Sequence, residues 1–150
     1  MTNGNTNHSG NNDTSSVRGD LMSFKFSSKS KMVLHTVHPD LQKVAHRALE
    51  ISRIDFGIPS SGGKRSAAEQ KALFDEGKSK CDGYTVLSNH QSGNALDVYA
   101  FVDGKASWDA LHLTTVAAAM LQAAIEQGVS LQWGGHWTSW QDMPHFELNK

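Results

Sequence analysis

Cysteine is nearly absent from this chain: of 150 residues, only Cys81 carries a thiol. No intramolecular disulfide can form, and a structural metal site built from several cysteines is excluded. No separate base and orienting group stand ready to activate Cys81, which reads as an incidental thiol. A surplus of charge is missing too. The formal net charge is -1, with Lys and Arg distributed along the chain, so there is no electrostatic footprint for nucleic acid. The charged fraction of 19% lies below the ordinary value of about 25%, which suits a compact enzyme better than a charged interaction module. No apolar run approaches the roughly 18 residues that a membrane-crossing helix needs. The N-terminus lacks a basic start followed by an apolar core, so the expectation is a protein made in the cytoplasm without a secretory signal.

What is present divides into two parts. Residues 1–21 are rich in Asn, Ser, Thr and Gly and poor in apolar side chains, His8 being one solvated member. Such a segment cannot bury enough surface to offset its ordering entropy, and a disordered tail is expected. Residues 22–150, with Met22 as a candidate functional start, form one domain. A chain of this size can bury roughly 68–70% of its unfolded surface and needs no disulfide staples.

Within that domain Leu41, Val44, Ala45, Ala48 and Leu49 recur at helical spacing behind Pro39, predicting a helix to about Ser52. His46 on that helix, and His35 and His38 before it, read as surface or capping residues. Phe56 to Pro59 can form a short edge strand, since Pro59 cannot donate to a central ladder. Ser66 can cap a second helix that Gly77 ends. A long irregular stretch, Lys78 to Leu87, follows. Ala95 to Val102 reads as one strand, with Leu96 and Val98 on one face and Ala95, Asp97 and Tyr99 on the other. After an Asp103-Gly104 turn, Ser107 is the expected cap of the longest helix, running to about Gln127 before Gly128. Its Leu111, Val116, Met120, Leu121 and Ile125 read as core, and His112 as structural or exposed. Val129 to Trp133 and His145 to Leu148 complete a small sheet. Helices first and strands later predict an α+β domain, a small antiparallel sheet with helices packed against it.

The chemistry is concentrated in two clusters. Ser88-Asn89-His90-Gln91-Ser92-Gly93-Asn94-Ala95-Leu96-Asp97 sets a histidine and an aspartate on the two sides of a tight turn. Gly93 permits that turn, and Ala95 leaves room on the face that carries Asp97. The second cluster, Asp142-Met143-Pro144-His145-Phe146-Glu147, adds a histidine with a carboxylate three positions before it. Two histidines and one carboxylate can hold a zinc ion and leave a coordination position open for water, as hydrolysis requires. Asp142 is then a candidate general base. Strand alternation puts His145 and Glu147 on one face, with Phe146 and Leu148 toward the core. Glu147 is thereby a candidate partner to orient a ligand imidazole.

The first cluster matches in full the pattern Ser-x-His-x-x-Gly-x-Ala-x-Asp, and so resembles the D-alanyl-D-alanine and L-alanyl-D-glutamate metallopeptidases. Asp142 to Glu147 resembles their second signature. The closest resemblance is to the L-alanyl-D-glutamate endopeptidases of phage endolysins and bacterial wall hydrolases, and it covers nearly everything from Met22-Ser23-Phe24-Lys25-Phe26 onward. It implies a hedgehog/D-Ala-D-Ala peptidase-like fold with the zinc site in a cleft on the sheet. It further implies that His90, Asp97 and His145 are the zinc ligands and Asp142 the catalytic base. Arg65 matches an arginine near the substrate, able to stabilise an oxyanion or clamp a substrate carboxylate. Ser88 matches a serine that supports the site. Trp133-Gly134-Gly135-His136-Trp137 is similar to a segment bordering the cleft, with His136 where an aspartate is usual. His136 and Trp137 are thus candidate substrate contacts, although Trp133, Trp137 and Trp140 can equally pack the loop, and His136 can be a rim residue.

The implied activity is zinc-dependent cleavage of the L-Ala–D-Glu bond in peptidoglycan stem peptides by a monomeric phage or prophage endolysin. The implied route is cytoplasmic synthesis and holin-dependent release to the wall. No separate wall-binding module is visible. Three alternatives share parts of the pattern. One is a D-alanyl-D-alanine carboxypeptidase or dipeptidase of the same fold. Another is a catalytically silent zinc-binding domain, against which Asp142 and Arg65 argue. The third is a non-haem iron oxygenase, whose His and Asp usually sit two apart on one strand.

Overall fold

A short helix opens the fold, and nothing in the apolar spacing announces it. In this computed structural model, which describes residues 23–150, α1 spans Ser28–Leu34 and is capped by the Ser27 hydroxyl, which accepts from the Ser30 N–H. Seven residues are too few for a periodic signal, and only Ser30 and Leu34 are buried. The expected tail and Met22 lie outside the described residues.

The helix α2, Pro39–Ile51, is built as its pattern predicts. Pro39 sits in the first turn, the His38 ring accepts from the Asp40 N–H, and Leu41, Val44, Ala45, Ala48 and Leu49 are buried. His35 and His46 are exposed, as expected. Strand β1, Asp55–Gly57, lies at a sheet edge, with Pro59 beyond its end. Helix α3, Ala67–Asp75, carries a reciprocal cap: Ser66 Oγ accepts from the Glu69 N–H while the Glu69 carboxylate accepts from the Ser66 N–H.

The strand expected from Ala95 to Val102 is two strands in two sheets. β2 (Ala95–Asp97) and β3 (Tyr99–Val102) part at Val98. The Asp97 N–H is drawn to the Gly62 carbonyl (2.9 Å) and the Val98 N–H to the Pro144 carbonyl (3.0 Å). Neither N–H is left for a continuous ladder, and the chain steps from one sheet to the other. The alternation of faces survives the step, since Leu96 and Val98 are fully buried while Asp97 and Tyr99 are partly exposed. Ala95 is also fully buried.

β3 turns through Asp103-Gly104, whose φ angles of 52° and 75° fit a two-residue hairpin turn. It pairs with β4, Lys105–Ser107, which the sequence reading lacked. Because Ser107 belongs to that strand, Asp109 is the cap of helix α4, Ala110–Glu126, accepting from the Leu111 N–H. Ser107 Oγ instead meets the His112 ring at 2.8 Å. Val116 and Met120 are buried as expected, but Leu111 and Ile125 are exposed. The nine residue steps from Val116 to Ile125 turn a helix about two and a half times and bring Ile125 to the far side.

Strands β5 (Leu131–Trp133) and β6 (His145–Leu148) complete the second sheet. The orders are β1-β3-β4 and β2-β6-β5, with every pair antiparallel. α2 packs on α4, and one core joins Leu41, Val44, Val116 and Met120 with Phe56, Leu96, Val98 and Phe146. The class is α+β as expected, with the strands shared between two small sheets. No helix among the described residues is long and apolar enough to cross a membrane.

Candidate active site

The register of β2 against β6 decides the site. Asp97 stands directly opposite His145, and Ala95 opposite Glu147. Side chains opposite one another in an antiparallel pair are close neighbours, so the ladder sets carboxylate beside imidazole. His90 arrives from the turn between Asn89 and Gly93, which Gly93 closes at φ 77°. The Ser88 hydroxyl accepts from the His90 N–H at 3.2 Å.

Three atoms converge. His90 Nε2, His145 Nδ1 and Asp97 Oδ1 lie 3.1–3.2 Å from one another. The far nitrogen of each ring is committed elsewhere. His90 Nδ1 donates to the Gly63 carbonyl, and His145 Nε2 donates to the Glu147 carboxylate, both at 2.9 Å. With those N–H groups spent, the facing nitrogens of the neutral rings present lone pairs to each other and to a carboxylate. Three acceptors with no donor among them require a cation or an added proton at their centre. The residues therefore fit a divalent metal ion, and the fixed outer N–H bonds are those that orient metal-binding imidazoles. Glu147, bonded to His145, is held in turn by Asn89.

The electrostatics agree. Burial alone would push the Asp97 carboxyl up, yet the bonds from His145 and His90 outweigh it and hold Asp97 well below the usual carboxylate range. Burial would likewise push His145 down, but Asp97 and Glu147 together lift it to about 9. Glu147 is lowered, chiefly by its bond from His145.

Asp142 lines the same cavity of about 440 Å³. Its carboxylate accepts no hydrogen bond from the described residues, while its backbone is firmly placed: its N–H donates to the Gly134 carbonyl at 3.0 Å. That approach needs glycine, since a Cβ on Gly134 would come within 2.3 Å of the Asp142 carbonyl oxygen. Gly135 is equally restricted by the Trp133 ring. Gly134 therefore serves to seat Asp142, while Gly135 leaves room for the Trp133 ring. Burial pushes its carboxyl up, and the neighbouring Asp97 charge adds to the rise.

Arg65 also lines the cavity, but it is engaged. It donates to Asp97 Oδ2 at 2.9 Å, to Gln70 Oε1 at 3.1 Å and to the Ser61 carbonyl at 2.7 Å. Three of the five guanidinium N–H donors are thereby used, and one of them holds the second oxygen of the Asp97 carboxylate. Trp137 borders the cavity with its ring 5.2 Å from that of His145. His136 is exposed, packs edge-on against Trp133 at 4.8 Å and does not line the cavity. Trp133 packs the loop, donating to the Met143 carbonyl, whereas Trp140 is at the cavity mouth. Cys81 is half-buried at the cavity wall.

Sequence reasoning missed Gln70. It is fully buried, accepts from Arg65, and donates to Ser79 Oγ and the Cys81 carbonyl. A lone glutamine on a helix carries no signal of that kind. Asn89 was also missed, although it lies inside the first cluster.

Comparison with known proteins agrees with this geometry. The family model described as phage L-alanyl-D-glutamate peptidase matches residues 22–148. The L-alanyl-D-glutamate peptidase of Escherichia phage T5 is 38% identical over 130 residues, covering 86% of this chain and 92% of that protein. The crystal structure of the Serratia marcescens L-Ala D-Glu endopeptidase ChiX superposes with a TM-score of 0.75 at 36% identity, covering 87% of this chain and 93% of that one. With its two signatures folded into one converging site, the chain belongs to the phage L-alanyl-D-glutamate peptidase family.

Proposed function

We propose that this chain is a zinc-dependent endopeptidase that hydrolyses the L-Ala–D-Glu bond of peptidoglycan stem peptides, acting as a phage or prophage endolysin. The observation that carries the reading is the convergence of three acceptor atoms beside Asp142, a half-buried carboxylate that accepts no hydrogen bond from the described residues, in one open cavity. A tetrahedral zinc with ligand distances of 2.0–2.1 Å sets its ligand atoms about 3.3 Å apart, close to the spacing seen here. Two imidazoles and one carboxylate are also the donor set of hydrolytic zinc sites.

His90, Asp97 and His145 would hold the ion, which supplies Lewis acidity and brings the pKa of water toward about 7. Asp142 accepts the proton of the attacking water and returns it to the departing D-Glu amine. Its carboxyl, raised by burial, is suited to both transfers, because a base works best with a pKa nearer the operating pH. Arg65 acts first as a positioning residue through Asp97, and its two remaining donors are available to a developing oxyanion. Trp137 and Ser88 border the substrate, while His136 stands outside the cavity wall. Release to the wall through a holin-opened membrane completes the proposed route.

The test is digestion of the stem peptide L-Ala–D-Glu–diaminopimelate–D-Ala–D-Ala, with and without chelator and with Asp142→Ala in parallel, products read by mass spectrometry. Free L-Ala whose release stops with chelator and in the variant is the expected result. Loss of a terminal D-Ala would instead make the chain a carboxypeptidase. Bound metal without any cleavage would leave only a binding domain. Metal analysis of the purified protein separates zinc from iron.

A further inference from the structure

Three cationic side chains other than histidine line the cavity, and two of them are already neutralised. Arg65 is bonded to Asp97, and Lys78 Nζ lies 2.8 Å from the Glu76 carboxylate. Lys80 alone has no carboxylate within salt-bridge distance among the described residues. Its ammonium sits 4.8 Å from the centre of the Trp140 ring, across the cavity mouth. The floor beneath it is acidic, with Asp97, Asp142 and Glu147 all lining the same space. A cation held over an aromatic face keeps its N–H donors open to an anion.

Its backbone is held in place as well. The residues on both sides of Lys80 are tied to the buried Gln70 side chain, Ser79 through its hydroxyl and Cys81 through its carbonyl. The Ser79 hydroxyl also accepts from the Cys81 N–H, closing a small turn around Lys80. The charge is thus presented to the cavity from a fixed base, which lessens the ordering cost of binding.

Resting on the endopeptidase reading above, we infer that Lys80, steadied by Trp140, recognises a free carboxylate of the stem peptide. Arg65 is bonded to Asp97 and its two remaining donors are assigned to the developing oxyanion, so the free carboxylate of the substrate is assigned to Lys80. Of the three free carboxylates of the stem pentapeptide, the two nearest the scissile bond qualify, the α-carboxylate of D-Glu and the side-chain carboxylate of diaminopimelate, while the C-terminal one lies farthest from it. Lys80 acts on specificity, and its removal falls on KM rather than on kcat.

The experiment compares three stem pentapeptides: one unmodified, one amidated at the D-Glu α-carboxyl and one amidated at diaminopimelate. Steady-state kinetics are measured for the metal-loaded wild type, Lys80→Met and Lys80→Arg. In the wild type, one amidation raises KM by about tenfold, the scale of a charge-assisted hydrogen bond at a partly exposed site. Which amidation does so identifies the carboxylate. In Lys80→Met that difference disappears, in Lys80→Arg it persists, and raised salt shrinks it. The inference is overturned if Lys80→Met slows all three peptides alike, or if the wild type does not distinguish them; the endopeptidase reading survives either result. If the wild type cuts none of the three, both fall.

Discussion

The floor of the cleft and its rim are made by different means. On the floor, each of the three converging side chains is fixed by a second bond: His90 by the Gly63 carbonyl, His145 by Glu147, and Asp97 by Arg65. Two of the three, Asp97 and His145, stand opposite each other on paired strands. The rim formed by residues 78–87 has no ladder at all. One carboxylate, Asp82, organises it by accepting from the N–H groups of Tyr84, Thr85 and Val86. Tyr84, Val86 and Leu87 are exposed there, as is Trp140 opposite. Ligand atoms must hold their places to a few tenths of an ångström, and strand pairing with buried hydrogen bonds provides that. Recognition of a substrate tolerates a softer frame, and loops supply it.

If this division is real, damage to the floor should strike catalysis or metal, and damage to the rim should strike substrate affinity. The largest effect belongs to Asp142→Asn, which removes a base and leaves the three ligands untouched. We expect kcat to fall by about 10²–10⁴-fold, the ordinary contribution of a general base, with metal content unchanged by elemental analysis. Comparable activity in the variant would remove Asp142 from the proton pathway. Next is Glu147→Ala, which frees the outer nitrogen of His145. Metal affinity should weaken by about 10–100-fold in competition with a chelating dye. Because His145 in the metal-free protein is held up to about 9, a proton competes with the metal below that pH. Affinity of the wild type should accordingly rise as pH increases toward 9.

Gln70 spans the two regions and offers the sharpest trial of the comparison. Its oxygen serves Arg65 on the floor, and its amide serves Ser79 and Cys81 on the rim. Gln70→Met keeps the volume and deletes all three bonds, leaving buried polar groups unmet at a cost of about 1–3 kcal/mol each. Thermal melting should fall, and both metal affinity and KM should worsen together. A change in only one of them would show that floor and rim are not coupled through this side chain.

How much of this was readable beforehand follows the same division. The convergence of His90, Asp97 and His145, with Asp142 and Glu147 beside them, could be read because short local patterns carry it: a turn between His90 and Asp97, and alternation along His145 to Leu148. Helix α2 could be read for the same reason, its apolar residues recurring at one period. What escaped depends on contacts distant in sequence. The break at Val98 is imposed by Gly62 and Pro144, the cap at Asp109 by the pairing of Ser107 in β4, and the burial of Gln70 by residues 9–11 positions on. Arg65 shows both sides. Its presence at the site was marked by its surroundings in sequence, but its attachment to Asp97 was not, because the partner lies 32 positions away.

The smallest expected effect tests the rim alone. Asp82 is half-buried, and the N–H groups of Val86, Tyr84 and Thr85 hold its carboxyl below the usual range. A depressed carboxyl contributes order that is complete above its ordinary value near 3.9 and is lost as pH falls through the lowered one. The loop should therefore stay organised across neutral pH and loosen only in strong acid. Asp82→Ala removes the anchor at every pH. Those N–H groups then turn to water, so the global melting temperature should scarcely move. Limited proteolysis between residues 82 and 87 should quicken, and KM should rise by about two- to threefold, the scale of an ordinary surface substitution. Metal affinity and kcat should not change, since no bond from Asp82 reaches the floor. If kcat fell with KM, the rim would be holding the ligands in place as well as the substrate, and the two regions would have to be treated as one.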